Sequence, residues 1–203
     1  MAACEIAGNN ITASNTPGLT CGNRPMVVGL DLSLTSTGWA RINTTTETGR
    51  ITPKGTGHDR LGHILEDIFR IVFDADLITV EGPSFGSGQA IRQNGHHERA
   101  GLWWLVTHHL WVVGVPFAVI PPATLKRYAT GKGNATKDAV LAAAIRRYPQ
   151  VGFDGNDQAD ALILAAMGAD HLGQPIATMP GVQRAALGAV DWPGLWPQER
   201  TTA

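Results

Sequence analysis

The sequence has little cysteine, no long apolar run and almost no net charge. Its two cysteines, Cys4 and Cys21, both fall in the first 25 residues, so a disulfide framework is not expected and a reducing compartment fits. No stretch of about 18 apolar residues occurs, which excludes an ordinary transmembrane helix. The N-terminus lacks a charged segment followed by an apolar one, so no signal peptide is expected. The formal net charge is −1, so whole-molecule electrostatics do not announce a polyanionic partner, and a local patch would have to bind one. No internal repeats are visible. What is present is 203 residues, 43% of them hydrophobic, enough for one α/β domain with ragged ends.

Residues 1–25 are rich in Asn, Thr, Gly and Ala, show no period and read as a partly disordered tail. The folded body begins near Met26. Residues 26–30 form a short apolar, β-branched run that suits a buried strand. Residues 38–42 and 49–52 continue it as a meander. Over residues 59–73 the apolar spacing of three and four marks an amphipathic helix. Residues 77–80 form another buried strand, ending at Glu81 and stopped by Gly82-Pro83. A long helix is expected from about Gln89 to Val113, a strand over 117–120, and a short helix opened by Pro121-Pro122. A Gly-rich loop over 130–134 leads to a helix over 135–148 with Thr136 as cap, and a last long helix runs to about Asp170. Residues 173–203 carry four prolines and read as a C-terminal extension, with one short helix near 182–187 and Trp192 and Trp196 packing back onto the body. Strands first, then strands alternating with helices, indicate an α/β fold with a mixed five-stranded sheet and helices on both faces.

Four acids stand at the ends of these elements. Asp31 closes the first strand in MVVGLDLSLTSTGWA, and Glu81 closes LITVE. Asp157 and Asp160 lie three apart at a helix start and share one helical face. Asp31 alone allows three readings: a metal ligand, the first acid of a nucleotide-binding loop, or a turn aspartate. Asp157 alone could be an acid favoured by the helix dipole. Four converging carboxylates would repel strongly, and divalent cations would offset that repulsion. A set of hard oxygen donors suits Mg²⁺, and two such ions can clamp in-line attack on a phosphodiester.

Residues 121–150 carry Lys126, Arg127, Lys132, Lys137, Arg146 and Arg147 against the single acid Asp138. In a nearly neutral chain this excess marks a phosphate-binding segment, and several phosphate contacts would make binding steeply salt-dependent. Arg146 and Arg147 serve equally well as a solvated helix face. The TGKGN loop lacks P-loop spacing. The pairs His96-His97 and His108-His109 do not match a zinc motif and read as polar positions on a long helix. Trp103, Trp104 and Leu105 read as core or interface residues.

With these pieces in place, the chain resembles the RuvC family of Holliday-junction resolvases, within the ribonuclease H-like superfold. GLDLSLTSTGWA resembles the family's first-strand motif and VEGPSF its second acidic motif. HHERAG resembles its Glu-x-Arg-Gly-like helical turn, PPATLKRYATGKGNATKDAV its basic segment, and NDQADALILA its closing helix. The five stand in the family's order and cover about residues 26–170, so that residues 26–172 would be the nuclease domain. The resemblance implies that Asp31, Glu81, Asp157 and Asp160 hold two Mg²⁺ ions, with Mn²⁺ as a substitute, and that Asp31 contacts both. It implies that Lys137 stabilises the phosphate or transition state and that Lys126 binds DNA near the cut. The basic segment itself offers Arg127 and Lys132 as further DNA contacts, and Arg99 is another candidate. Phe85 resembles the aromatic residue that probes the junction centre. Leu32-Ser33 replaces the Pro-Gly that many relatives carry, so the loop after Asp31 must turn by other means.

The function so implied is metal-dependent resolution of four-way DNA by paired symmetric nicks, in a cytoplasmic homodimer of a bacterial cell or phage-infected host. A branched-DNA-binding protein without catalysis is the alternative, and the intact acidic set argues against it. An actin-like ATP-dependent phosphotransferase needs a second phosphate loop and a second domain, for which the chain is too short.

Overall fold

The computed structural model describes residues 24–83 and 96–194. Five strands form one sheet in the order β3-β2-β1-β4-β5. The first three, β1 (Val27–Asp31), β2 (Thr37–Ile42) and β3 (Thr46–Ile51), make an antiparallel meander, and β4 (Leu77–Glu81) and β5 (Phe117–Ile120) add in parallel to β1. The mixed sheet expected from the sequence is therefore present. The parallel strands are reached by helical crossovers, as parallel pairing requires. Among the described residues no helix is long and apolar enough to cross a membrane.

Helices cover both faces. On one side α1 (Gly57–Ile71) and α2 (His96–Val113) bury Ile64, Ile68, Leu102, Val106 and Leu110 against Val28, Leu30, Ile78 and Val80. His109 stacks on Phe69 between these two helices, with ring centroids 3.8 Å apart. On the other side lie α3 (Pro122–Thr130), α4 (Lys137–Arg147) and α5 (Asn156–His171). The long helix is described from His96; residues 89–95 of the expected span lie outside the described residues, as do Phe85 and Trp196.

The helix ends follow local chemistry. Pro122 opens α3, and Gly131 closes it at φ 85° while donating its N–H to the Arg127 carbonyl, a left-handed position that favours glycine. The Thr136 hydroxyl accepts the Ala139 N–H at 3.3 Å and caps α4, as its sequence position suggested.

Beyond α5 the chain turns back. A single helical turn, α6 (Gly181–Arg184), and a 3₁₀ turn over Ala185–Ala189 pack on the α3 side, where Ala186, Val190 and half-buried Trp192 join the core. The Trp192 ring stacks on His171 at 4.1 Å. Asp170, only 1% exposed at its side chain, forms an ion pair with Arg184 at 2.9 Å and accepts the Tyr128 hydroxyl at 3.1 Å.

Candidate active site

Asp31 and Glu81 close neighbouring parallel strands. The β1–β4 register runs to Leu30 opposite Val80, so the next residue of each strand stands at the same carboxyl edge of the sheet. The third and fourth acids arrive on α5, and glycines set how closely that helix lies. A Cβ on Gly38 would fall 2.0 Å from the Asp157 carbonyl oxygen, and one on Gly29 would fall 2.2 Å from that of Ala161. Gly38 is also the register partner of Asp31. One bare position in β2 thus brings the first turn of α5 beside the end of β1. Gly168, farther along α5, makes room for the Val27 side chain, whose Cγ1 would lie 2.7 Å from an added Cβ.

The loop after Asp31 turns on its own hydroxyls. The Thr37 hydroxyl donates to the Ser33 carbonyl at 2.7 Å and accepts the Ser33 N–H at 3.0 Å. The Ser33 hydroxyl in turn accepts the N–H groups of Thr35 and Ser36 at 3.3 and 3.4 Å. These side-chain turns replace the missing Pro-Gly.

All four acids are half-buried, and burial raises Asp31, Glu81 and Asp160. Burial, followed by the charges of Glu81 and Asp160, pushes Asp31 up to about 9. Burial likewise raises Asp160 to about 7, with Glu81 and Asp157 adding to it and Lys137 and Lys126 opposing it. Glu81 is raised by burial, while a hydrogen bond from Asp31 and the charges of Lys137 and Lys126 pull it back. Excess negative charge has therefore been assembled where water is scarce, and the nearby cations only partly offset it. Among the described residues no three Asp, Glu, His or Cys side chains already close on one point as ligands of a single ion would. The cluster is joined by its field and by the contact of the Asp31 and Glu81 carboxyl groups. The donor chemistry fits a hard divalent ion: every donor is a carboxylate oxygen, and bound positive charge would relieve the repulsion.

Lys137 occupies the first turn of α4, where the helix dipole disfavours a cation. The compensation is the attraction of Glu81 and Asp160. The charge of Lys126 on α3 acts on the same two acids without an ion pair among the described residues.

The other expected cations fall into a pattern. Arg41, Arg50, Arg60, Arg70 and Arg184 each meet a carboxylate. Among the described residues none of Lys126, Arg127, Lys132, Lys137, Arg146 and Arg147 forms an ion pair. Lys132, Arg146 and Arg147, with Asn134, Thr136 and Gln183, line an open cleft of about 660 Å³ between α3, α4 and α6. No acid lines it. Arg147 is held there by the Ala129 carbonyl at 2.9 Å and the Gln183 side-chain oxygen at 2.6 Å. Arg99 is exposed in the first turns of α2, and no described contact brings it to the acids.

Sequence reasoning did not find the seating role of Gly29. Its only signal is a glycine inside a run of bulky strand residues. It also missed the indole of Trp103, which donates to the Glu81 carbonyl at 3.1 Å.

No protein-family sequence model matches the chain. The chain is 28% identical over 161 residues to the crossover junction endodeoxyribonuclease RuvC of Rhizobium johnstonii, covering 74% of this chain and 93% of that protein. It is 27% identical to the RuvC of Rhizobium rhizogenes, covering 74% and 92%. The Thermus thermophilus RuvC structure superposes with a TM-score of 0.55 at 21% identity, covering 76% of this chain and 99% of that one. The same protein in complex with a Holliday junction substrate gives 0.54 over 77% and 99%. The chain is thus similar to RuvC proteins along more than nine-tenths of two curated relatives, and its sheet and helices share the fold of the Thermus thermophilus RuvC structure.

Proposed function

We propose that this protein is a metal-dependent endonuclease that resolves four-way DNA by paired symmetric nicks. The observation that carries this reading is the cluster of Asp31, Glu81, Asp157 and Asp160, whose burial and mutual repulsion leave a deficit of positive charge. Two ions of the Mg²⁺ type, with Mn²⁺ as a substitute, would be held by these four residues and would supply an activated water and charge stabilisation at the leaving 3′ oxygen. The curated relatives are named as junction endonucleases, which supports the same substrate.

The chain's own groups do the rest. The ends of β1 and β4 hold Asp31 and Glu81 on a rigid edge, and the first turn of α5 presents Asp157 and Asp160 to it. Lys137 stands where it can neutralise charge on the phosphate under attack, and Lys126 holds the strand beside the cut. The unpaired cations from Arg127 to Arg147 continue that path into the basic cleft, where the phosphates of one DNA arm can lie. Such contacts supply affinity without sequence information. Arg99 and Phe85 are further DNA contacts in this reading.

Two cuts on opposing strands call for two sites. The exposed side of α2 presents Trp104 at 66% and Trp111 at 69% exposure, beside Leu105 and Val113. Such an apolar face marks an interface, and we assign it to a homodimer working in the cytoplasm. A mass in solution that stayed monomeric at every concentration would refute the dimer.

The test of the whole reading is a mobile synthetic four-way junction with Mg²⁺. Wild type should give paired nicks, and Asp31→Asn should bind the junction without cutting it. Equal cutting by the two would show that the acid cluster is not the site.

A further inference from the structure

The end of β4 has one carbonyl too many for its sheet. The Gly82 N–H donates to the Ile120 carbonyl on the β5 side. Backbone groups alternate along a strand, so the Glu81 carbonyl points the other way, toward β1. The β1–β4 register stops at Leu30 opposite Val80, so no strand residue is paired there with Glu81. Its carbonyl is met instead by the indole N–H of Trp103 at 3.1 Å. Trp103 belongs to α2, is half-buried against the core of that face, and lies edge-on to Trp104 with ring centroids 5.2 Å apart. Trp104 is on the exposed apolar side of the same helix.

We propose that Trp103 is a positioning residue for the acid cluster: its indole holds the strand end that carries Glu81 and ties the order of that cluster to the packing of α2. The inference rests on the metal-site reading given above and deepens it. A backbone fixed on one side by the ladder and free on the other would let the Glu81 carboxylate wander, and a wandering ligand binds an ion less tightly. Because Trp104 is the next residue, covering the α2 face with a second copy would also steady Trp103. Pairing of two chains and readiness of each site would then be linked through adjacent side chains.

The test is Trp103→Phe, which keeps an aromatic ring and removes the N–H. Metal affinity is read by calorimetry with Mn²⁺ and no DNA, and junction affinity is read separately in EDTA. We expect Mn²⁺ binding to weaken about fivefold, the scale of one lost hydrogen bond, with junction affinity unchanged within about twofold. Trp192→Phe, which loses an indole hydrogen bond to the Leu187 carbonyl on the other face of the sheet, should leave Mn²⁺ binding as in wild type. Unchanged Mn²⁺ binding in Trp103→Phe, or a parallel loss of junction affinity, would overturn the proposal. Failure of the wild type to bind Mn²⁺ would instead overturn the metal site, and this inference with it. Should Trp103→Phe not fold, nitrogen-15 spectra of the wild-type indoles decide the matter. The Trp103 signal, assigned by elimination with Phe variants of the other five tryptophans, should shift on adding Mg²⁺, and a stationary signal would overturn the proposal.

Discussion

Asp31→Asn should make the metal-free protein more stable while abolishing its activity. Asp31 is raised from 3.8 to about 9 by burial and by its acidic neighbours. A folded-state value above the unfolded one gives stability that is complete below about pH 4 and lost as pH rises toward 9. Within that window each pH unit costs about 1.4 kcal/mol, so the span from pH 5 to 8 has an upper bound of about 4 kcal/mol. The four acids are half-buried rather than sealed from water, and screening reduces the expected difference to about 1–2 kcal/mol. Asparagine keeps the shape and removes the titration. The variant's advantage over the wild type should therefore be larger at pH 8 than at pH 5, the difference growing by about 3–6 °C in Tm for a domain of this size. The assay is thermal unfolding in EDTA at both pH values, alongside junction cleavage in Mg²⁺. Adding Mg²⁺ at pH 8 should restore the wild type and leave the variant almost unmoved. A variant that gains nothing over wild type between pH 5 and 8 would refute the claim that the Asp31 carboxylate is destabilised by burial and by the field of the other acids.

Two more outcomes follow from the geometry. Lys137→Ala should cut the single-turnover cleavage rate at least tenfold, the scale of about 1.4 kcal/mol, while junction affinity falls by no more than about threefold; equal losses would make Lys137 a simple phosphate contact. Gly38→Ala forces a methyl group to within 2.0 Å of the Asp157 carbonyl, where only backbone can give way, so urea unfolding should show a loss of about 3 kcal/mol or more. An unchanged midpoint would mean that α5 is not seated through Gly38.

Both strand-ending acids were legible in the sequence, because an apolar run ending in a lone carboxylate is a local pattern. The pair on α5 was legible for the same reason, through its spacing of three. The basic segment stood out because the rest of the chain is balanced. What could not be read was whatever depends on elements meeting. Gly29 is an ordinary strand residue until α5 lies on it. Trp103 could be assigned to core or interface from sequence, but its bond to Glu81 exists only because the end of β1 leaves a carbonyl unmatched. Asp170 closes a helix in the sequence, and only the return of the chain to Arg184 reveals it as a buried charge with a partner.

The burial of α5 has a consequence for how the site can be lost. Every residue from Ala161 to Asp170 is buried, and the helix is seated close on the strands at Gly29 and Gly38 and packed on the side chains of Val27, Ile42 and Leu77. Its amides can open to solvent only when the sheet itself comes apart, so their exchange with deuterium should follow global unfolding and not local fraying. Asp157 and Asp160 stand half-buried on the first turns of that rod. Heat or denaturant that loosens α6 or the basic loop would weaken the hold on DNA first, and the acids would keep their arrangement until the domain unfolds as a whole.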